Sequence, residues 1–432
     1  MLKGKTVAPL TLGCKVNQYE TDGMIELLKE AGMTAVSFEE KADVYLINTC
    51  SVTNMADKKS RQMIHRAKKL NPDAVVIAAG CYVQAAKDKL MEDDRISIII
   101  GNNKKKDIVQ ILEDYLEIGV TDEGMLDIAA EKEYEPLTIN STLEHTRAYV
   151  KIQDGCNQFC SYCIIPYVRG RIRSRELASI TEEVERLAQT GVKEIVLTGI
   201  HISSYGKDKE NEVGLADVID AISKIESIER IRLGSLEPGI ITDTFIDRIV
   251  DNKKVCPHFH LSLQSGCNTV LKRMNRKYTC EEYFEKCEML RKAFDRPALT
   301  TDVIVGFPGE TDEEFQETVD YLTKLNLYEM HIFKFSPRQG TVAAGMRDQI
   351  GPEIKNQRSD VLLALSEKNK HAYEASFRGE TLEVLIEEKV RRNGKDGYRG
   401  HTERYIDIFV EEECMHRICG REVDIINHIV QI

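Results

Sequence analysis

A chain of 432 residues with 42% hydrophobic side chains is long enough for about three domains, each with its own core. Its net charge of -12 excludes a protein coated in basic charge for indiscriminate nucleic-acid binding, so any RNA contact must come from local patches. No apolar stretch approaches the ~20 residues that span a bilayer, Met1 opens no signal-peptide pattern, and twelve cysteines are too sparse for a disulfide scaffold; a reducing, cytoplasmic location without membrane attachment is expected.

Apolar runs at 7–12, 44–47, 74–79 and 96–100 alternate with segments at 19–31, 55–70 and 84–91 whose apolar residues recur three and four apart. This predicts an open, mostly parallel N-terminal α/β sheet. Cys14, Cys50 and Cys81 each follow one of these strands. An open α/β sheet gathers its ligand-binding loops at the carboxyl ends of its strands, so three thiols distant in sequence are placed to converge. Burial as ordinary core cysteines is the competing account. The segment after Cys50 also carries Lys58, Lys59, Arg61, Arg66, Lys68 and Lys69, a basic helix suited to an RNA contact.

Cys156, Cys160 and Cys163 form a C-x3-C-x2-C triplet directly after an apolar run at 148–152. Three thiolates can hold three irons of a 4Fe-4S cube, and no fourth cysteine or histidine follows nearby, which leaves one iron open. A structural zinc site would take four protein ligands. The spacing resembles that of the radical S-adenosylmethionine (SAM) enzymes. The resemblance implies that the open iron chelates the amino-acid end of SAM and that the reduced cluster cleaves it to a 5'-deoxyadenosyl radical.

Six strand-helix units follow, with strands at 148–152, 194–198, 230–236, 258–263, 301–305 and 330–335 and helices at 179–189, 215–225, 243–250, 281–294 and 313–325. They predict a partial (β/α)6 barrel with its chemistry at the strands' carboxyl ends. Gly199, Gly306 and Gly309 would let backbone approach SAM, while Ser235, Glu237, Gln264 and Ser265 offer hydrogen bonds to it. Those SAM contacts are implied by the resemblance; taken singly, a glycine after a strand is commonly just a turn. His201 is read as a loop hydrogen-bonding residue rather than a metal ligand. Arg169, Arg171, Arg173 and Arg175, at period two, would project from one face of an extended segment. That face suits the SAM carboxylate, RNA phosphate or an acidic group on a base, or is simply solvated. Cys256, Cys267, Cys280, Cys287, Cys414 and Cys419 are assigned to packing.

After a helix at 354–373, strands at 381–386, 397–400, 405–410 and 422–432 predict a small antiparallel β barrel. Lys389, Arg391, Arg392, Lys395 and Arg399, with Tyr398 and His401 interleaved, could grip phosphate and stack a base. The acidic run at 411–413 means that the module is not uniformly basic.

Thr11-Leu-Gly-Cys-Lys-Val-Asn-Gln-Tyr-Glu-Thr21, Asn48-Thr-Cys-Ser-Val-Thr53 and Ala79-Gly-Cys-Tyr82, followed by the 156/160/163 triplet, resemble the methylthiotransferase family of radical SAM enzymes over nearly the whole chain. The resemblance implies a methylthiotransferase N-terminal domain at 1–116, a radical SAM core at 142–370 and a TRAM-like RNA-binding domain at 371–432. It also implies that Cys14, Cys50 and Cys81 hold an auxiliary 4Fe-4S cluster that carries the sulfur to be inserted. Segments 13–21, 58–62 and 199–204 resemble the branch that acts on N6-threonylcarbamoyladenosine beside the anticodon of transfer RNA, giving the 2-methylthio product. Close relatives act on N6-isopentenyladenosine or on an aspartate of a ribosomal protein. The implied partners are the tRNA anticodon stem-loop, a flavodoxin- or ferredoxin-like electron donor and a sulfur donor. On this reading an arginine of the 169 to 175 stripe would select the threonylcarbamoyl carboxylate.

Overall fold

A computed structural model describes residues 1–119, 125–140, 146–210, 212–419 and 425–432. Positions 142–145 of the expected central domain and 422–424 of the expected last strand lie outside the described residues.

The first unit is a five-stranded parallel sheet in the order β2-β1-β3-β4-β5, formed by β1 (Thr6–Thr11), β2 (Thr34–Ala35), β3 (Val44–Thr49), β4 (Val75–Gly80) and β5 (Ile98–Ile100). Every residue of β3 is buried, as a central parallel strand covered on both faces must be. Its helices are α1 (Lys15–Glu30), α2 (Asn54–Leu70), α3 (Cys81–Ala85), α4 (Lys87–Met91) and α5 (Ile108–Ile118). The single helix expected at 84–91 is instead two short ones, and the first of them begins on Cys81 itself. Thr53 caps α2 by accepting from the Ala56 amide at 3.1 Å.

The second unit holds β6 (Arg147–Asp154), β7 (Arg173–Ser174), β8 (Glu194–Gly199), β9 (Arg230–Leu233), β10 (His258–His260), β11 (Ala298–Val305) and β12 (Glu329–Lys334). β6, β8 and β9 pair in parallel, as do β10, β11 and β12, and parallel bridges at Ile231–Val255 and Leu236–Leu261 join the two sets. Six parallel strands thus form the expected partial barrel. The short β7 pairs antiparallel to β6 at its outer edge. Around the barrel run α6 (Ile165–Arg169), α7 (Leu177–Gln189), α8 (Leu215–Ser223), α9 (Asp243–Ile249), α10 (Asn268–Arg273), α11 (Cys280–Ala293) and α12 (Asp312–Leu325). Ala148, Val150, Ile152, Ile195, Leu197, Ile231 and Leu233 point outward into one apolar core with Ile180, Val184 and Leu187 of α7. Strand residues of the opposite parity, including Tyr149, Arg232 and His260, therefore face the barrel interior.

α13 (Pro352–Ala375) leads to β13 (Glu383–Arg392), β14 (Lys395–Thr402), β15 (Asp407–Glu411), α14 (Glu412–Cys419) and β16 (Ile429–Gln431). The strands form an antiparallel sheet in the order β15-β14-β13-β16. Among the described residues β15 and β16 do not pair, so the expected barrel is a half-barrel. β13 continues six residues beyond the expected end at 386, and Asn393 and Gly394, with φ of 51° and 81°, turn it into β14. The helix α14 has no counterpart in the sequence reading.

Tyr405, just before β15, seats the C-terminal sheet against the amino ends of the barrel strands. Its ring stacks on His258 at 5.3 Å and on His401 at 4.5 Å, with the guanidinium groups of Arg147 and Arg232 over it at 5.1 and 4.9 Å. Arg230 and Arg232 donate to the carbonyls of Glu383, His401, Thr402 and Glu403. No described helix is long and apolar enough to cross a membrane.

Candidate active site at a domain junction

Three connections of the first sheet bring Cys14, Cys50 and Cys81 together. Cys14 precedes α1, Cys50 follows β3, and Cys81 opens α3. A Cβ on Gly13 would fall 2.8 Å from Cys50 Cβ and 2.9 Å from its Sγ, so glycine is what lets these two loops touch. Asn17 ties them by donating to Leu12 O at 2.7 Å and Thr49 O at 3.0 Å. Burial pushes the Cys50 thiol up to about 11, and the neighbouring Cys81 and Cys14 sulfurs push in the same direction. Solvent reaches Cys14, and Val52, two residues after Cys50, Met55 at the start of α2 and Tyr167, four residues after Cys163, are exposed apolar side chains.

The second trio lies on the loop after β6. Gly155 (φ 71°) cannot be replaced without collision, because a Cβ there would sit 1.7 Å from Arg171 O. Burial raises the Cys156 thiol to about 11 and the Cys163 thiol to about 12. Arg276 donates through Nη1 to Cys160 Sγ at 3.2 Å and through Nη2 to both Glu237 oxygens at 2.9 and 3.0 Å. Burial opposes ionisation of Glu237, yet His201 at 3.3 Å and Arg276 hold its carboxyl below the ordinary range. His201 is held within its loop by Ser204 and Gln153, as expected of a hydrogen-bonding residue.

Among the described residues neither cysteine trio is gathered tightly enough for a single ion; the only ligand group within 4.8 Å is His260, Asp302 and His331. Sets of three thiols on adjoining loops, with no fourth protein ligand among the described residues, have the donor chemistry of an iron-sulfur cluster. Thiolates bind iron, and Arg169 beside Cys81 and Arg276 beside Cys160 each place a cation against one sulfur of a trio. Both trios therefore fit 4Fe-4S clusters with an open iron.

Around the second trio, Gly199, Ser235, Glu237, Gln264 and Gly306 all stand at or just beyond the carboxyl ends of barrel strands. A Cβ on Gly199 would be 2.9 Å from Gln153 O, and Gly306 has φ 69°. Ser265 turns away: it is buried, its hydroxyl 3.4 Å from Thr318 Oγ1 and accepting from the Cys267 amide at 3.3 Å. A cleft of about 630 Å³ opens beside the trio, lined by Gln158, His201, Tyr205, Glu237, Phe245 and Tyr278.

The arginine stripe is corrected by the structure. The segment is not extended, because Arg169 ends α6 and Gly170 (φ 71°) turns the chain before β7. Arg169, Arg173 and Arg175 are buried. Arg169 donates to Cys81 Sγ (3.2 Å), Glu20 Oε1 (2.8 Å), Asn17 Oδ1 (2.7 Å) and Asp154 (3.2 Å). Arg173 donates to the Arg169 and Arg171 carbonyls, and Arg175 pairs with Glu183. Arg171 alone is exposed, its guanidinium 4.4 Å from the Phe159 ring. The buried network is completed by Lys105 and Lys151, which both bond Glu20.

The C-terminal basic cluster is exposed but largely paired: Lys389 with Glu412, Lys395 with Glu411, Arg392 with Asp407, Arg391 with Asp396, and Arg399 with Glu388 and Asp407. Lys389 lies over the Tyr398 ring at 5.7 Å. His401, expected on the RNA face, is instead buried against Tyr405 and Glu387. On α2, Arg66 pairs with Glu39 and Arg61 bonds Tyr82, while Lys58 and Lys59 are exposed beside Cys50. Lys15 is reached by solvent, yet the protein atoms crowding its ammonium, then Arg147 and Arg232, pull it down to about 8. The six remaining cysteines pack in or against apolar cores, as expected.

Arg276, Tyr278, Glu20 and the His260–Asp302–His331 group escaped the sequence reading. No periodicity or spacing marks them; only the tertiary fold brings them to the cysteines or into the barrel.

Residues 150–322 match the Radical SAM superfamily, and residues 6–101 match an uncharacterized protein family, UPF0004. The chain is 42% identical to "Threonylcarbamoyladenosine tRNA methylthiotransferase MtaB" of Bacillus subtilis, over 93% of this chain and 90% of that one. It is 36% identical to "tRNA-2-methylthio-N(6)-dimethylallyladenosine synthase" of Thermoanaerobacter pseudethanolicus, over 96% and 89%. Among solved structures, the radical S-adenosylmethionine methyltransferase TsrM from Kitasatospora setae, with cobalamin and a [4Fe-4S] cluster bound, shares the fold with a TM-score of 0.58 at 15% identity, covering 79% of this chain and 77% of that one.

Proposed function

The chain belongs to the radical SAM methylthiotransferase family, and on that premise we propose that it converts N6-threonylcarbamoyladenosine, 3' of the anticodon in transfer RNA, to its 2-methylthio derivative. The observation that carries this reading is the pairing of two three-cysteine sites across one junction in a chain 42% identical to a threonylcarbamoyladenosine methylthiotransferase.

Cys156, Cys160 and Cys163 would hold the cluster that binds SAM, and Cys14, Cys50 and Cys81 the auxiliary one. When bound, these groups supply the radical and the methylated sulfur needed to replace an unactivated aromatic C–H by a C–S bond. The protein's share is placement and shielding. Arg276 holds Cys160 and Glu237 in one arrangement, and Gly199, Ser235, Gln264 and Gly306 offer backbone and hydrogen bonds to SAM. Lys58 and Lys59 attract phosphate near Cys14 and Cys50, and Val52, Met55 and Tyr167 give a base an apolar rim. The module at 371–432, through Arg391, Arg392, Lys395 and Tyr398, is assigned a second RNA contact that exchanges its own ion pairs for phosphate. A flavodoxin- or ferredoxin-like protein would donate electrons, a separate sulfur donor would reload the auxiliary site, and the work would be done in the cytoplasm.

Identity of 36% to a dimethylallyladenosine synthase supports N6-isopentenyladenosine as the second reading. The test is anaerobic reconstitution with SAM, reductant and anticodon stem-loops bearing either base, followed by mass spectrometry of the nucleosides. A methylthio gain on the threonylcarbamoyl base supports the first reading; gain only on the isopentenyl base establishes the second.

A further inference from the structure

Lys15 directly follows Cys14 and is exposed. Its ammonium stands 6.0 Å from the centroid of the Tyr149 ring, near Arg147, Arg232 and Glu194 at the inner face of β6, β8 and β9. Those neighbours are already matched. Arg147 pairs with Glu387 at 3.2 Å, and Glu194 is taken by Arg232 at 2.7 and 3.1 Å. Farther along the same interior Asp302 is 3.4 Å from His260, and His258 feels Arg232, Lys15, His260 and His331 together. Among the described residues, Lys15 has no carboxylate within ion-pair distance. An exposed ammonium with no carboxylate partner is open to an incoming anion, with which it forms a charge-assisted bond.

On an adenine ring, C2 and C6 flank N1, so a substituent on N6 lies beside the carbon that receives sulfur. A base whose C2 faces the Cys14 site therefore carries its N6 group toward the residues next to Cys14. The other cations of this region are out of reach of an acid there: Arg169 and Arg175 are buried in their own bonds, Arg173 is wholly buried with its Nη2 3.8 Å from Asp154, and Arg171 lies over Phe159 in the other cysteine loop.

We propose that Lys15 receives the carboxylate of the threonylcarbamoyl group and thereby selects an N6 substituent ending in an acid over an apolar one. The assignment rests on the reading of the chain as a methylthiotransferase of threonylcarbamoyladenosine. An isopentenyl group would leave the ammonium covered and unpaired, and leaving a site's polar group unmatched is the stronger form of rejection.

The experiment compares anticodon stem-loops carrying the threonylcarbamoyl acid, its neutral methyl ester, or isopentenyladenosine, using the cluster-loaded full chain, Lys15→Met, Lys15→Arg and Arg171→Met. The wild-type chain is expected to prefer acid to ester by roughly 10- to 100-fold in kcat/KM, the worth of one charge-assisted bond. Lys15→Met brings that ratio close to one, chiefly by raising KM for the acid, Lys15→Arg restores part of it, and Arg171→Met keeps it. Iron per chain reports whether each variant retains its clusters, and the wild-type ratio needs no variant at all. Equal turnover of acid and ester by the wild-type chain, or a wild-type ratio in Lys15→Met, overturns the assignment while leaving the proposed function standing. Turnover of the isopentenyl RNA alone overturns both.

Discussion

Arg169 Nε lies 3.2 Å from Cys81 Sγ, so a residue six positions beyond the last cysteine of one trio is bonded to a cysteine of the other. The same guanidinium answers Glu20 and Asp154. One side chain thus joins α1 of the N-terminal unit, the first barrel strand and a cysteine of the other trio.

Replacing Arg169 by Met leaves Glu20 and Asp154 short of positive charge in a buried place. The expected cost is about 3–5 kcal/mol, the usual penalty for breaking a buried ion network by removing one partner. Thermal unfolding of the cluster-loaded protein measures it; a shift no larger than that of an exposed control such as Arg66→Met refutes the role.

Burial opposes ionisation of Glu20 and Asp154, but Arg169, Lys105 and Lys151 around the first, and Lys151, Arg169 and Arg173 around the second, hold both carboxyls below their ordinary range. The folded chain then binds these protons less readily than the unfolded one. Their stabilisation is complete above the unfolded carboxyl pKa of about 4 and drains away as pH falls below it. Melting temperature should decline between pH values of about 5 and 3, and Glu20→Gln should flatten the decline while lowering stability at neutral pH. Parallel curves for the two proteins would contradict this.

Removing Cys14, Cys50 and Cys81 together should leave about half of the bound iron and preserve SAM cleavage while abolishing the RNA product. Removing Cys156, Cys160 and Cys163 should leave the other half and abolish cleavage. Iron analysis and the yield of 5'-deoxyadenosine distinguish the two; cleavage surviving in the second protein would reverse the assignment of the sites.

Tyr405→Ala removes the ring between His258, His401 and two guanidinium groups. A loss of about 3 kcal/mol is expected from truncating a packed aromatic, and the C-terminal sheet should come loose before the barrel unfolds. Limited proteolysis, with cleavage appearing between α13 and β13, reports it.

The alternating strands and helices of the first two units were legible because each parallel strand is a short apolar run and each helix repeats at three and four. The spacing of Cys156, Cys160 and Cys163 singles them out in the sequence, whereas Cys14, Cys50 and Cys81 share only their places after strands, and their common cluster is what the family resemblance implies. The C-terminal sheet was harder. β13 runs through Glu387, Glu388, Lys389, Arg391 and Arg392, whose charges carry no apolar alternation, so the sequence predicts a strand only as far as 386. Period two in the arginine stripe predicts an extended strand, whereas one glycine turn at 170 sends Arg169 and Arg173 inward from different elements. Arg276 and Lys15 have meaning only through what the fold sets beside them.

The seat of Tyr405 at the amino ends of the barrel strands puts the C-terminal sheet and the loop that carries Cys156, Cys160 and Cys163 at opposite ends of that barrel. β6 alone has eight residues, roughly 25 Å at the usual rise per strand residue. A single nucleoside cannot reach across that distance, but a folded stem-loop can. Recognition that uses both ends therefore measures the length and shape of an RNA before the base is touched, and a stem cut short should keep its chemistry while losing its grip.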